Sequence, residues 1–121
     1  MSKEKGDIAE KKAVSFLKNL HYEIIETNFF AKKLGEVDII ASKDGIYHFI
    51  EVKSAVKHGE HYDPFENITP YKFHKLTRTI AWYLAEKRIA SETSWVIDAL
   101  AIHIVRETKH ARINVLWNMT L

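Results

Sequence analysis

The stretch that most constrains this chain runs Gly35-Glu-Val-Asp-Ile-Ile-Ala-Ser-Lys-Asp-Gly45-Ile-Tyr-His-Phe-Ile-Glu-Val-Lys53. Two β-rich runs flank Asp44-Gly45, a dipeptide suited to the positive φ values of a two-residue type I′ turn, so the segment is expected to fold as a hairpin. That loop sets the register: Lys43 faces Ile46, Asp38 faces Glu51 and Glu36 faces Lys53. A longer even loop centred on the same dipeptide keeps this pairing, whereas an odd loop or a bulge shifts it. Because side chains alternate along a strand, Glu36 and Asp38 should share one face, and Glu51 and Lys53 the matching face of the partner. Four ionisable groups are thereby expected on one small patch of sheet.

Directly opposed Cβ atoms lie about 4.5–5.5 Å apart, where like charges destabilise by up to roughly 1 kcal/mol. Asp38 and Glu51 therefore call for a proton or a cation between them. Mg²⁺ takes oxygen ligands, keeps several waters and suits one or two carboxylates plus a substrate phosphate. Lys53, about 6–7 Å beyond Glu51 along the strand, has the reach to orient a water or to stabilise charge developing on phosphorus. The competing explanation is a solvated strand face on which Glu36 pairs with Lys53, and Asp38 with Lys33 or Lys43. Against it stand Ile39, Ile40, Phe49, Ile50 and Val52, which mark buried strands where an unpartnered acid is costly. Glu10 lies three residues before Ala13 and seven before Leu17, on the apolar side of its helix. It is either an early-turn acid favoured by the helix dipole or a further ligand or water acceptor reaching over the sheet.

The rest of the 121 residues read as a single domain, 1–121. Ile8, Ala9, Ala13, Phe16, Leu17 and Leu20 recur at helical spacing, predicting a first helix from about Lys3 to Asn19. Tyr22 to Phe30 reads as a strand, and Ser54 to Ile68 as a surface loop. His58, His61 and Asp63 in that loop lack the convergent ligands a zinc site needs. Thr69-Pro70 marks the start of a second helix reaching about Arg88. Ser94 to Val105 is almost continuously apolar in its middle, as in a strand covered on both faces, and Arg112 to Trp117 is a last strand. The expected fold is α/β, a small mixed sheet with helices packed on it in the order α-β-β-β-α-β-β. Trp82, Trp95 and Trp117 are expected as core or interface aromatics. The last strand, if it lies at an edge, offers a surface for a homodimer.

No cysteine is present, which excludes disulfides and thiolate chemistry and is compatible with a reducing cytoplasm, the expected location. No apolar run is long enough to span a membrane. Eighteen Lys and Arg against sixteen Asp and Glu give a net charge of only +2, so a nucleic-acid partner must be argued from where the charges sit. Lys72, Lys75 and Arg78 on the second helix and Lys32-Lys33 before the acidic strand form a candidate basic rim for a phosphate backbone. An ordinary solvated helix face is the alternative.

An acid on the first helix, then Asp, then Glu-x-Lys across a hairpin resembles the PD-(D/E)-x-K restriction-endonuclease-like superfamily, here as Glu10, Asp38 and Glu51-Val52-Lys53. More closely, Ala9-Glu10, Ala13, Asn28, Gly35-Glu36-Val37-Asp38, Phe49-Ile50-Glu51-Val52-Lys53, Thr69 to Lys72 and Ile97-Asp98 resemble the YraN-like family of small bacterial proteins. The resemblance implies a restriction-endonuclease-like fold and a metal-dependent nuclease hydrolysing phosphodiester bonds in DNA. Asp38, Glu51 and Glu10 would bind Mg²⁺ or Mn²⁺, Lys53 would position the attacking water, and Glu36 would support it. Similarity to archaeal Holliday-junction resolvases extends the expectation, by analogy, to branched DNA. The alternative is a nucleic-acid-binding or interaction module that keeps the fold and does not cut. Ala9 and His21 stand where the family usually has glycine, and Ala55 where an arginine commonly follows Glu-x-Lys, which weakens the expectation of tight phosphate binding. Charges assigned to a metal do not count against a phosphate-binding surface, so the chain behaves as moderately basic.

Overall fold

The computed structural model describes residues 3–56, 68–104 and 110–119. Its elements follow the expected order: α1 (Lys3–Asn19), β1 (Glu23–Ala31), β2 (Gly35–Lys43), β3 (Ile46–Val56), α2 (Pro70–Glu86), β4 (Trp95–Ile104) and β5 (Ala111–Leu116). Asp44 and Gly45 take φ of 51° and 79°, both positive as a type I′ turn requires. The register follows from that turn, with Lys43 opposite Ile46 and Ile39 opposite Ile50.

The five strands lie in the order β1-β2-β3-β4-β5. The β3–β4 pair is parallel and the other three are antiparallel. The helices cover opposite faces. α1 brings Ala9, Ala13 and Leu17 against Ile39, Ala41, Ile50, Leu100 and Ile102, while α2 brings Leu76, Ile80 and Tyr83 against Val37, Ile40, Phe49 and Ala99. β4 feeds both cores in turn, which is why its middle is apolar at every position but one. That exception, Asp98, is fully buried.

Local chemistry sets the helix ends. Thr69 caps α2 by accepting the Lys72 N–H, and Pro70 occupies the first helical position. α1 closes through Tyr22 N–H to Leu17 C=O and His21 N–H to Lys18 C=O, and α2 through the matching pair Ile89 to Leu84 and Arg88 to Ala85. Each closure needs a left-handed residue, and His21 (φ 69°) and Arg88 (φ 54°) supply it. The glycine that the YraN-like pattern places at His21 suits that conformation better.

Some expectations are corrected. Ser54, Ala55 and Val56 belong to β3 and not to a loop, because parallel pairing with Ile102, His103 and Ile104 carries the strand on. Residues 57–67, with His58, His61 and Asp63, lie outside the described residues. α2 stops at Glu86, where the left-handed Arg88 turns the chain. Trp82, Trp95 and Trp117 are about two-fifths exposed, and each packs against a deeper ring: Trp82 tilted against Phe29, Trp95 edge-to-face with Phe49, and Trp117 stacked on Tyr22. Among the described residues no helix is long and apolar enough to cross a membrane.

Candidate active site

The expected acid patch lies where the sheet loses its regularity. Val37 and Ile40 pack into the α2-side core but Ile39 into the α1-side core, so alternation breaks at Asp38. Across from it on β1, Asn28 takes φ of 54°, and the strand pairing passes from Thr27–Ile39 to Phe29–Val37. Asparagine is one of the few side chains that tolerates this conformation. The β2–β3 ladder likewise ends at Ile39–Ile50, and the Asp38 carboxylate takes the next N–H, that of Val52, at 2.7 Å. Glu36 and Asp38 therefore do not share a face by simple alternation, as the sequence suggested. The break turns Asp38 from a ladder residue into a side chain bonded to β3.

Asp38, Glu51, Glu36 and Lys53 nonetheless act on one another. Burial pushes the Asp38 carboxyl up from its ordinary 3.8 to about 7, and the charges of Glu51 and Glu36 add to this. The Val52 N–H and Lys53 pull the other way without cancelling it. Burial also raises the Glu51 carboxyl, opposed first by Lys53, whose Nζ stands 3.3 Å from Oε1, while Glu36 raises it and Lys72 of α2 lowers it. Lys53 and Glu51 each keep about a quarter of their side chain exposed, 26% and 25%. Glu51 is thus open to solvent on one side, and the lysines near it do not cancel the rise at either acid. Asp38 and Glu51 are the donors suited to a hard divalent cation, which would relieve their repulsion and complete its shell with water and a phosphate oxygen.

Glu10 is placed differently. Both of its carboxylate oxygens accept from Asn28 Nδ2, at 2.9 and 3.0 Å, which ties α1 to the irregular point of β1. Glu10 is not among the leading charges acting on Asp38 or Glu51. Among the described residues no three acids or histidines converge as a metal-binding group.

A cleft of about 460 Å³ opens beside the patch, walled by Glu36, Glu51, Lys53, Lys72, Lys75 and Phe30. Gly35 forms part of its wall, where an added Cβ would come within 3.1 Å of Thr79 Oγ1. Lys75 also borders a smaller recess with Lys33 and Arg78, and Lys32 is exposed on the turn between β1 and β2. Of the basic residues expected on α2 and before β2, Lys72 and Lys75 line the cleft with Glu36 and Glu51, Lys33 and Arg78 line only the smaller recess, and Lys32 lines neither.

This arrangement can be set against known proteins. A family model described as Uncharacterised protein family UPF0102 matches residues 9–116. The chain belongs to that family. A UPF0102 protein of Aliarcobacter butzleri (strain RM4018) is 50% identical over 102 residues, covering 84% of this chain and 88% of its own. One from Helicobacter pylori (strain P12) is 45% identical over 118 residues, with 98% and 92% covered. Another, from Helicobacter hepaticus (strain ATCC 51449 / 3B1), is 44% identical over 120 residues, with 99% and 97% covered. UPF0102 is the YraN family that the motifs resemble. The span matched by the UPF0102 model contains Glu10, Asn28, Glu36, Asp38, Glu51, Lys53 and Asp98.

Two structural roles escaped the sequence reading. Asn28 appeared only as a motif position, not as the partner of Glu10. Asp98 appeared only as part of an aliphatic-Asp strand. A lone acid in a strand buried on both faces is itself a signal, since it must find donors.

Proposed function

We propose that the protein is a metal-dependent nuclease that hydrolyses a phosphodiester bond in DNA, on a restriction-endonuclease-like fold. The observation that carries this reading is the Asp38–Glu51 pair, both carboxyls raised by burial and by the charge of Glu36, and Asp38 further by Glu51, with Lys53 at 3.3 Å from Glu51 and a cleft lined by Lys72 and Lys75 beside them. Asp38 and Glu51 hold Mg²⁺ or Mn²⁺. The ion, when bound, polarises the phosphate and neutralises charge developing on it. Lys53 orients the attacking water and takes up negative charge, and Glu36 holds Lys53 in place by its own charge. Glu10, oriented by Asn28, assists from α1 as a further acidic acceptor. Lys72 and Lys75 receive the backbone on the cleft wall, with Lys32, Lys33 and Arg78 extending the basic rim. The sheet edge at β5 is where a second copy would pair for symmetric cutting, and the absence of cysteine favours a cytoplasmic location.

The test is a cleavage screen over single-stranded, duplex, flap and four-way DNA with Mg²⁺ or Mn²⁺. Cutting should need the metal and fall by about 100-fold or more in Glu51→Ala and Lys53→Ala. Metal-dependent cutting that survives both substitutions would overturn the assignment. The ion pair that Lys53 already makes with Glu51 favours one competing reading, a binding module on the same fold. Salt-sensitive binding of branched DNA without products under either metal would select it.

A further inference from the structure

The recess beside the cleft, about 190 Å³, is walled by Lys33, Leu34, Tyr71, His74, Lys75 and Arg78. Among the described residues three permanent cations line it and no acid does. Bringing cations together is unfavourable unless an anion joins them, and a planar guanidinium beside two ammonium groups suits a phosphate. All three are exposed side chains on the rim of the recess. Lys75 spans the recess and the acid cleft, with its stem packed near Gly35, while Lys33 sits on a turn residue with φ of 70°.

Tyr71 adds a second kind of chemistry. On the first turn of α2 it leaves 75% of its surface exposed, and Phe30 on the cleft wall leaves 67% exposed. Neither ring is placed to fill the core. An exposed ring beside a phosphate pocket matches a nucleotide whose base is available for stacking. In continuous duplex the bases are stacked and paired inside, where rings on the rim do not reach them.

We propose that the Lys33–Lys75–Arg78 recess takes the phosphate next to the scissile one while Tyr71 stacks on the adjoining base, so that the substrate is a strand unpaired at that point. This rests on the nuclease reading for its orientation, since Lys75 joins the recess to the cleft. The recess and its ring select single-stranded or junction nucleotides over continuous duplex. Phe30, on the cleft wall, offers a second exposed ring.

The experiment measures binding of a short labelled oligothymidylate in EDTA at low salt, with a duplex of equal length as comparison. Tyr71→Ala should weaken oligothymidylate binding by about fivefold or more, Tyr71→Phe should bind like the wild type, and neither should alter duplex binding. Arg78→Gln should weaken binding and flatten the slope of log K against log salt by about 0.7, one phosphate contact on a single strand. Thermal melts check that each variant is folded. No binding by the wild type, unchanged binding by Tyr71→Ala, or equal loss on duplex overturns the proposal. Because EDTA removes the metal, these outcomes are independent of cutting. A wild type that binds in this way and never cuts defeats the nuclease reading alone, and a Tyr71→Ala that binds and cuts like the wild type defeats this proposal alone.

Discussion

Two aspartates on this sheet show how much the partner set matters. Asp98 on β4 is completely buried, yet Oδ2 lies 2.6 Å from His48 Nδ1 and Oδ1 accepts the Asn118 N–H at 2.8 Å. The His48 ring stands edge-on to Tyr22 at 4.9 Å, and Tyr22 stacks on Trp117. Asp38 is less buried but has one backbone donor and two like charges for neighbours. The deeper acid is therefore the better satisfied. It pins the segment after β5 to β3, whereas the shallower acid is left needing a cation or a proton. Burial alone does not mark a reactive carboxylate; burial without matching donors does.

The largest expected break in this contrast is with pH. In the metal-free protein the folded chain holds the Asp38 proton up to about pH 7, while the unfolded chain releases it near 3.8. Between those values the folded state binds more protons, so stability falls as pH rises through the window and levels off above it. The raised Glu51 carboxyl acts in the same direction. The fall should amount to a few kcal/mol, at roughly 1.4 kcal/mol for each pH unit that the window spans, and Asp38→Asn should remove most of it. Urea unfolding from pH 4 to 8 measures this, and a wild-type curve that stays flat would show that Asp38 is no worse placed than a surface acid.

The same substitution at the two positions should have opposite signs. Asn keeps one acceptor oxygen. At position 98 it replaces a charge-assisted bond to His48, and stability at pH 8 should drop by about 2 kcal/mol. At position 38 it retains an acceptor for Val52 and removes the repulsion from Glu51, so stability at pH 8 should stay level or rise. Equal losses at both positions would erase the distinction drawn between the two acids.

How far the contrast is readable in the sequence follows from the range of the interactions. The hairpin register and the cap of α2 are set by neighbours in sequence, Asp44-Gly45 and Thr69-Pro70, and both were legible. That Asp38, Glu51 and Lys53 come near one another was legible from the hairpin, although the paired register stops at Ile39–Ile50, short of the expected Asp38–Glu51 and Glu36–Lys53 pairs. The break in alternation at Asp38 was not, and it lies opposite another irregularity that periodicity does not report, the left-handed Asn28 on β1. Glu10 finds its partner 18 residues away, and Asp98 finds its partners 50 residues before and 20 after it. Such pairings are decided by packing, which periodicity does not report.

A metal titration sharpens the comparison further. A cation bound by Asp38 and Glu51 competes with their protons, so Mn²⁺ should stabilise the protein more at pH 8 than at pH 5.5. At a few times Kd the gain at pH 8 is about 1 kcal/mol. Differential scanning calorimetry of the wild type and the Asp38→Asn variant checks it. A gain that is equal at both pH values, or that persists without Asp38, would place the cation elsewhere.

The smallest effect separates the two remaining acids. Glu36 raises both Asp38 and Glu51, whereas Glu10, held by Asn28, is not among the leading charges on either. Glu36→Gln should therefore lower the midpoint of the stability fall above pH 4 and recover a few tenths of a kcal/mol at pH 8, the scale of one exposed charge interaction. Glu10→Gln should leave that midpoint where it is and change only the contact between α1 and β1. If Glu10→Gln moved the midpoint as far as Glu36→Gln, its charge would have to reach the acid pair in the metal-free protein, and the helix acid would join the patch as a third carboxylate. If neither moved it, the rise at Asp38 would be owed to burial and Glu51 alone, leaving Glu36 as a charge that acts on Lys53 and the cleft mouth.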